Sequence, residues 1–206
     1  MGRHDLKTMD VLNNVAETNI VADRTALVII DMQKGITSIP VFPRGSGEVI
    51  ANAATIANDF RTRKMPVFLV RVMPGQPLGL RPESDAQPPA AQSFPSGWAD
   101  IVPELGPMDE DVIITKRQWG AFYGTELEMQ LRRRGIDTIV LCGISTNIGV
   151  ESTARFAYEF GFNQIFVEDA MAARSEEEHR LAMRTTFPRM GRVRSTSDVL
   201  VALSRC

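Results

Sequence analysis

Ala26-Leu27-Val28-Ile29-Ile30-Asp31 is an aliphatic run that ends on an acid. Unbroken apolar character, without alternation, reads as a parallel strand buried on both faces. Outward from it, residues 48–64 place Val49, Ala53, Ile56, Ala57 and Phe60 at helical spacing. Pro66 ends that element, and Val67–Arg71 reads as a second buried strand. The rhythm continues with a strand at Val112–Thr115, a helix near 125–134, a strand at Thr138–Cys142 and a helix near 147–160. A strand at Ile165–Val167, a helix near 175–187, a short strand near Val193 and a helix near 197–204 complete it. Strands alternating with helices of this length imply an α/β fold: a parallel sheet with helices on both faces and right-handed crossovers.

Local chemistry marks the boundaries. Thr125 with Glu128, and Ser175 with Glu178, have capping-box spacing. Gly161 follows one helix end, and Pro188 is expected to stop the next helix. The basic run Arg132-Arg133-Arg134 before Gly135 reads as a helix end, where cations complement the negative pole of the dipole, and not as a phosphate patch. Residues 1–22 form a polar N-terminal arm and 23–206 the folded domain. Between 73 and 111 prolines recur from Pro74 to Pro107, which excludes a long helix. So long a loop is expected to serve function or an interface, with Trp98 as a lid or subunit contact or as part of a satellite hydrophobic cluster.

With 206 residues, 44% hydrophobic and 23% charged, the chain can bury its own core without metals or disulfides. A formal net charge of −2 argues against a nucleic-acid surface. No apolar run approaches a membrane span, and the first residues lack the hydrophobic segment of a signal peptide. Cys142 lies in an apolar run and Cys206 ends the chain, so no disulfide framework is expected and a cytoplasmic location is.

In an open parallel sheet, ligands bind beyond the carboxyl ends of the strands. The polar residues at those ends are Asp31, Arg71, Lys116 and the segment Gly143–Gly149. Asp31 alone could merely cap a helix, and Lys116 alone could be solvated. Together in a partly dry cleft, each shifts the other's ionisation, and such a pair can hold a general acid or base in position.

Three blocks carry a more specific signal: Ala26–Gln33 (ALVIIDMQ), Ile114–Gly124 (ITKRQWGAFYG) and Leu141–Ala154 (LCGISTNIGVESTA). They resemble, in order, the signature blocks of the isochorismatase-like hydrolase superfamily, whose members have the cysteine hydrolase fold. The likeness spans about residues 24–200 and is greatest to an uncharacterised bacterial group sharing KRQWGAFYGT and LCGISTNIGVEST. It implies a Rossmann-like three-layer sandwich around a six-stranded parallel sheet, and a triad of Asp, Lys and Cys. Asp31 and Lys116 fill the first two places, and Gly149 stands where the nucleophilic cysteine belongs. Cys142, seven residues earlier in a strand, reads as an inert buried thiol.

The resemblance further implies a hydrolase for a small anionic metabolite, without a cofactor. Relatives with glycine at this place hydrolyse a vinyl ether, with the aspartic acid as proton donor and no covalent intermediate. Metal-binding members use an Asp-x-His arrangement, and with only His4 and His179 here no metal site is expected. Gln33, Arg71, Trp119, Phe122, Ser145, Thr146 and Asn147 are the substrate-pocket candidates, each aromatic being equally readable as core or subunit contact. Relatives show a cis bond at the place of Ile144-Ser145 and assemble as homodimers or homotetramers. The competing reading is a ligand-binding or scaffold protein that has lost its nucleophile.

Overall fold

The computed structural model describes residues 18–73, Asp85 and 94–206. The N-terminal residues 1–17, His4 and the first prolines of the long loop fall outside the described residues. Six parallel strands form one sheet: β1 (Thr25–Ile30), β2 (Val67–Val72), β3 (Val112–Lys116), β4 (Thr138–Ile144), β5 (Asn163–Ala172) and β6 (Arg192–Arg194). Every residue of β1 and β4 is buried, which is why both read as continuous apolar runs. The spatial order is β3-β2-β1-β4-β5-β6, so the winding reverses between β1 and β4. At that reversal the loops leave in opposite directions and open a crevice beyond the carboxyl ends.

Among the described residues, seven α-helical segments accompany the sheet: α1 (Lys34–Thr37), α2 (Ser46–Thr62), α3 (Leu127–Arg133), α4 (Glu151–Glu159), α5 (Glu176–Leu181), α6 (Phe187–Met190) and α7 (Thr196–Leu203). Helix α2 packs with α7, and α4 with α6, giving a helical layer on each face. The buried stripe of α2 is Val49, Ile50, Ala53, Ile56, Ala57 and Phe60. None of the described helices is long and apolar enough to cross a membrane.

Several boundaries differ from the sequence expectation. The hydroxyl of Thr125 donates to the Ala121 carbonyl and accepts from the Leu127 amide, so no capping box forms there and α3 starts two residues late. Ser175 and Glu178 do form a capping box, and Ser195 with Asp198 form a second. Pro188 does not stop a helix. The chain leaves α5 through a wide π-turn, Ala182–Thr186, and Pro188 sits in the first turn of α6, where its missing N–H costs nothing. Gly135 adopts φ +70° after α3, and Arg132 lies 4.1 Å over the Phe162 ring.

Strand β5 runs five residues beyond Val167, to Ala172. Trp98 packs on α1: its indole occupies the space a side chain at Gly35 would need, and its ring pairs with Phe94 at 4.6 Å.

Candidate active site

Asp31 is the first residue past β1. Its backbone turns into the left-handed region, φ +53°, and its N–H donates to the Val70 carbonyl at 2.8 Å. A β-carbon makes that conformation costly, so the neighbouring strands must hold it. Lys116 is the last residue of β3, two strands away from β1. The two side chains together span the end of β2, two strand spacings or about 10 Å. The ammonium reaches Asp31 Oδ2 at 2.7 Å, with both side chains almost wholly buried.

All three protons of that ammonium are engaged. Besides Asp31, Nζ donates to the Trp119 carbonyl at 2.8 Å and the Gln118 carbonyl at 3.1 Å. Asp31 Oδ1, by contrast, is buried without a hydrogen-bond partner among the described residues. Burial outweighs the attraction of Lys116 and raises the carboxyl to about 6.

After the cis peptide Ile144-Ser145, the chain enters a π-turn, Thr146–Val150, that leads into α4. Gly149 in this turn lies against the charged pair. A β-carbon there would stand 3.0 Å from Asp31 Oδ2, 3.0 Å from Ile30 Cγ2 and 3.6 Å from Lys116 Nζ. Position 149 is therefore beside both charges, with the Asp31 carboxylate closer than ordinary contact to where a side chain would begin. The turn is braced from behind. Thr153 Oγ1 donates to the Gly149 carbonyl at 2.7 Å and accepts from the Ala121 amide at 3.1 Å. Thr146 Oγ1 lies 2.9 Å from Nδ1 of the buried His179, whose Nε2 has no partner among the described residues. Burial, helped by Arg44 and Arg180, lowers His179 to about 4, so the imidazole is neutral.

Asp31, Lys116, Gly149, Ser145 and Trp119 line one cavity of about 240 Å³ at the sheet reversal, together with Arg117 and Arg174. That is below the roughly 300–1,000 Å³ of drug-sized sites and fits a small metabolite. A larger hollow of about 710 Å³, lined by Arg24, Asp137, Asn163 and Arg192 among others, lies at the amino ends of the strands, away from this pair.

Four of the sequence candidates do not line the active cavity, and a fifth, Asn147, stands beside it. Gln33 is buried and exchanges hydrogen bonds with the backbone of Val72. Arg71 points along the sheet to Thr115 Oγ1. Phe122 is packed between Phe160 and Phe162, in the core. Thr146 is turned toward His179. Asn147, half-buried in the π-turn, leaves Oδ1 unpartnered among the described residues and does not contribute to the cavity wall.

Sequence reasoning missed Arg117 and Arg174. Arg117 was in view beside Lys116 in the second block. Arg174 was hidden because β5 was expected to end at Val167, which moved the strand end away from it.

Cys142 is fully buried, and burial together with the charge of Asp169 pushes its thiol far above the ordinary range. It offers no thiolate. Among the described residues no cluster of His, Cys, Asp or Glu could hold a metal ion.

The family profile described as "Isochorismatase domain" matches residues 25–198. The chain belongs to the isochorismatase family. Within the isochorismatase family it is 52% identical over 184 residues to the uncharacterised protein YecD of Escherichia coli O157:H7, covering 88% of this chain and 97% of that one. It is 50% identical over 184 residues to the uncharacterised protein YwoC of Bacillus subtilis, covering 88% and 95%. A solved structure of an isochorismatase family protein from Burkholderia thailandensis superposes with a TM-score of 0.85 at 44% identity, covering 91% of this chain and all of that one. The six-stranded parallel sheet is thus the family's fold.

Proposed function

We propose that this chain is a cofactor-free hydrolase of a small anionic metabolite, with Asp31 as proton donor and acceptor and no covalent cysteine intermediate. One observation carries the reading: a buried carboxyl at the cavity floor, fixed through Oδ2 by Lys116, with Oδ1 unpartnered and its pKa raised to about 6. Such a group is protonated for a useful fraction of time near neutrality. The family name points to a vinyl ether as the first substrate class to try.

In that chemistry the Asp31 proton moves to the terminal vinyl carbon and leaves an oxocarbenium ion. Water adds to that cation, and its proton returns to the Asp31 carboxylate. The hemiketal then breaks its C–O bond to release an alcohol and a carbonyl compound. Lys116 orients Asp31 and stabilises the carboxylate between turnovers. Glycine at 149 supplies no nucleophile, and Cys142 cannot replace one.

The test is hydrolysis of isochorismate, with a small carboxamide as the control for amidase chemistry. The purified chain is expected to consume isochorismate, and Asp31→Asn to lower the rate by about two to four orders of magnitude. Unchanged activity in Asp31→Asn, or release of ammonia from the carboxamide alone, contradicts the reading.

A further inference from the structure

We propose that Arg117 and Arg174 are specificity-determining residues that hold, at the cavity mouth, a substrate carboxylate remote from the reacting bond. The inference deepens the reading of the same cavity and rests on it for the place of the reacting bond.

Lys116 is the cation that sequence order first offers to an anionic substrate, but its donors are all committed. An ammonium has three, and they go to Asp31 Oδ2, the Trp119 carbonyl and the Gln118 carbonyl. Turning one toward a ligand would either break a buried ion pair or strand a carbonyl, and both changes are costly. Recognition of an anion must therefore come from elsewhere.

Arg117 and Arg174 also line the cavity, both are exposed, and they come from different loops, after β3 and after β5. Neither takes part in an ion pair among the described residues. Their exposure, set against the burial of Asp31 and Lys116, places them at the entrance with the carboxyl at the floor. A guanidinium fork matches a carboxylate in shape as well as charge.

The charges set the orientation. The Asp31–Lys116 pair is neutral overall and its donors are committed, so the floor offers a carboxylate little attraction, whereas two cations attract one at the mouth. The substrate then enters with its anionic end outward and its reacting bond toward Asp31 and Ser145. Between these ends the walls include Ile36, Val72, Ile144 and Ile148. They suit an apolar cyclic or unsaturated body, not a sugar or a nucleotide.

Benzoate and its neutral isostere benzamide serve as probes, titrated calorimetrically. Wild type is expected to bind benzoate at millimolar concentration and to prefer it to benzamide. Arg117→Gln and Arg174→Gln should each weaken benzoate roughly tenfold, the loss of one charge-assisted contact, without changing benzamide. Unchanged melting temperatures keep the comparison one of binding, and Arg→Lys at either site should restore only part of the affinity.

Asp31→Asn separates this proposal from the catalytic one, because it should keep the arginine-dependent preference whether or not turnover is lost. Benzoate affinity indifferent to both arginines, equal affinity for benzamide, or no saturable binding of either probe overturns the proposal.

Discussion

Position 149 shows how one residue alters the chemistry available to a site. A β-carbon there would meet Asp31 Oδ2 and Ile30 Cγ2 at 3.0 Å, closer than ordinary contact, so a thiol enters only if the carboxylate moves by a few tenths of an ångström. Gly149→Cys, made on a Cys206→Ser background to remove the exposed thiol, is expected to gain one iodoacetamide-reactive cysteine in the folded state. The Cys206→Ser parent should show none, because Cys142 is buried. The same change should lower any rate that depends on Asp31. Failure of the new thiol to label would mean that position 149 does not face the cavity. At this scale much was legible in the sequence: Asp31, Lys116 and Gly149 could each be located by number. Their relation came through the resemblance and not from any local pattern, because the two side chains meet across the end of β2 and nothing in the flanking residues encodes that reach.

At the scale of elements, legibility followed burial. Strands β1 and β4 are buried on both faces and carry an unbroken apolar signal. The second half of β5 is interrupted by Glu168 and Asp169, so it looked like a loop. The structure resolves this because Asp169 accepts hydrogen bonds from the Thr196 amide and hydroxyl at the start of α7, while its carbonyl accepts from Asn52 on α2. Tertiary partners pay for polar groups that the strand alone could not accommodate.

The π-turn before α4 also has no local signature, and its support by His179 is a contact 33 residues apart. That support carries a pH dependence. His179 titrates near 4 when folded and near 6.5 when not, so the unfolded chain takes up the proton first and stability falls as pH drops from about 6.5 toward 4. In chemical denaturation at stepped pH, His179→Gln should flatten that limb. An equally steep limb in the variant would assign the loss to other groups.

Across the whole molecule, the site depends on where separate elements are anchored. Asp31, Lys116 and the π-turn come from β1, β3 and β4, and the edge strand β3 must keep register for Lys116 to reach Asp31. One anchor is the ion pair between Arg61 of α2 and Asp111, just before β3, at 2.6 Å with both side chains largely buried. Arg61 also donates to the Leu105 carbonyl at 2.5 Å. Asp111→Ala strands a partly buried guanidinium and is expected to cost about 3 kcal/mol in urea unfolding. A loss below about 1 kcal/mol would place the pair among ordinary surface bridges.

The central claim is that a carboxyl with a raised pKa delivers the proton, and the pH dependence of kcat/KM for isochorismate tests it most directly. Asp31 must be protonated to act, so the rate is expected to be flat below about 6 and to fall about tenfold per pH unit above it. Lys116 lowers the Asp31 pKa by its charge, so in Lys116→Gln the break should move to higher pH. A rate that rises through the same range, or a break that ignores the Lys116 substitution, would contradict the account.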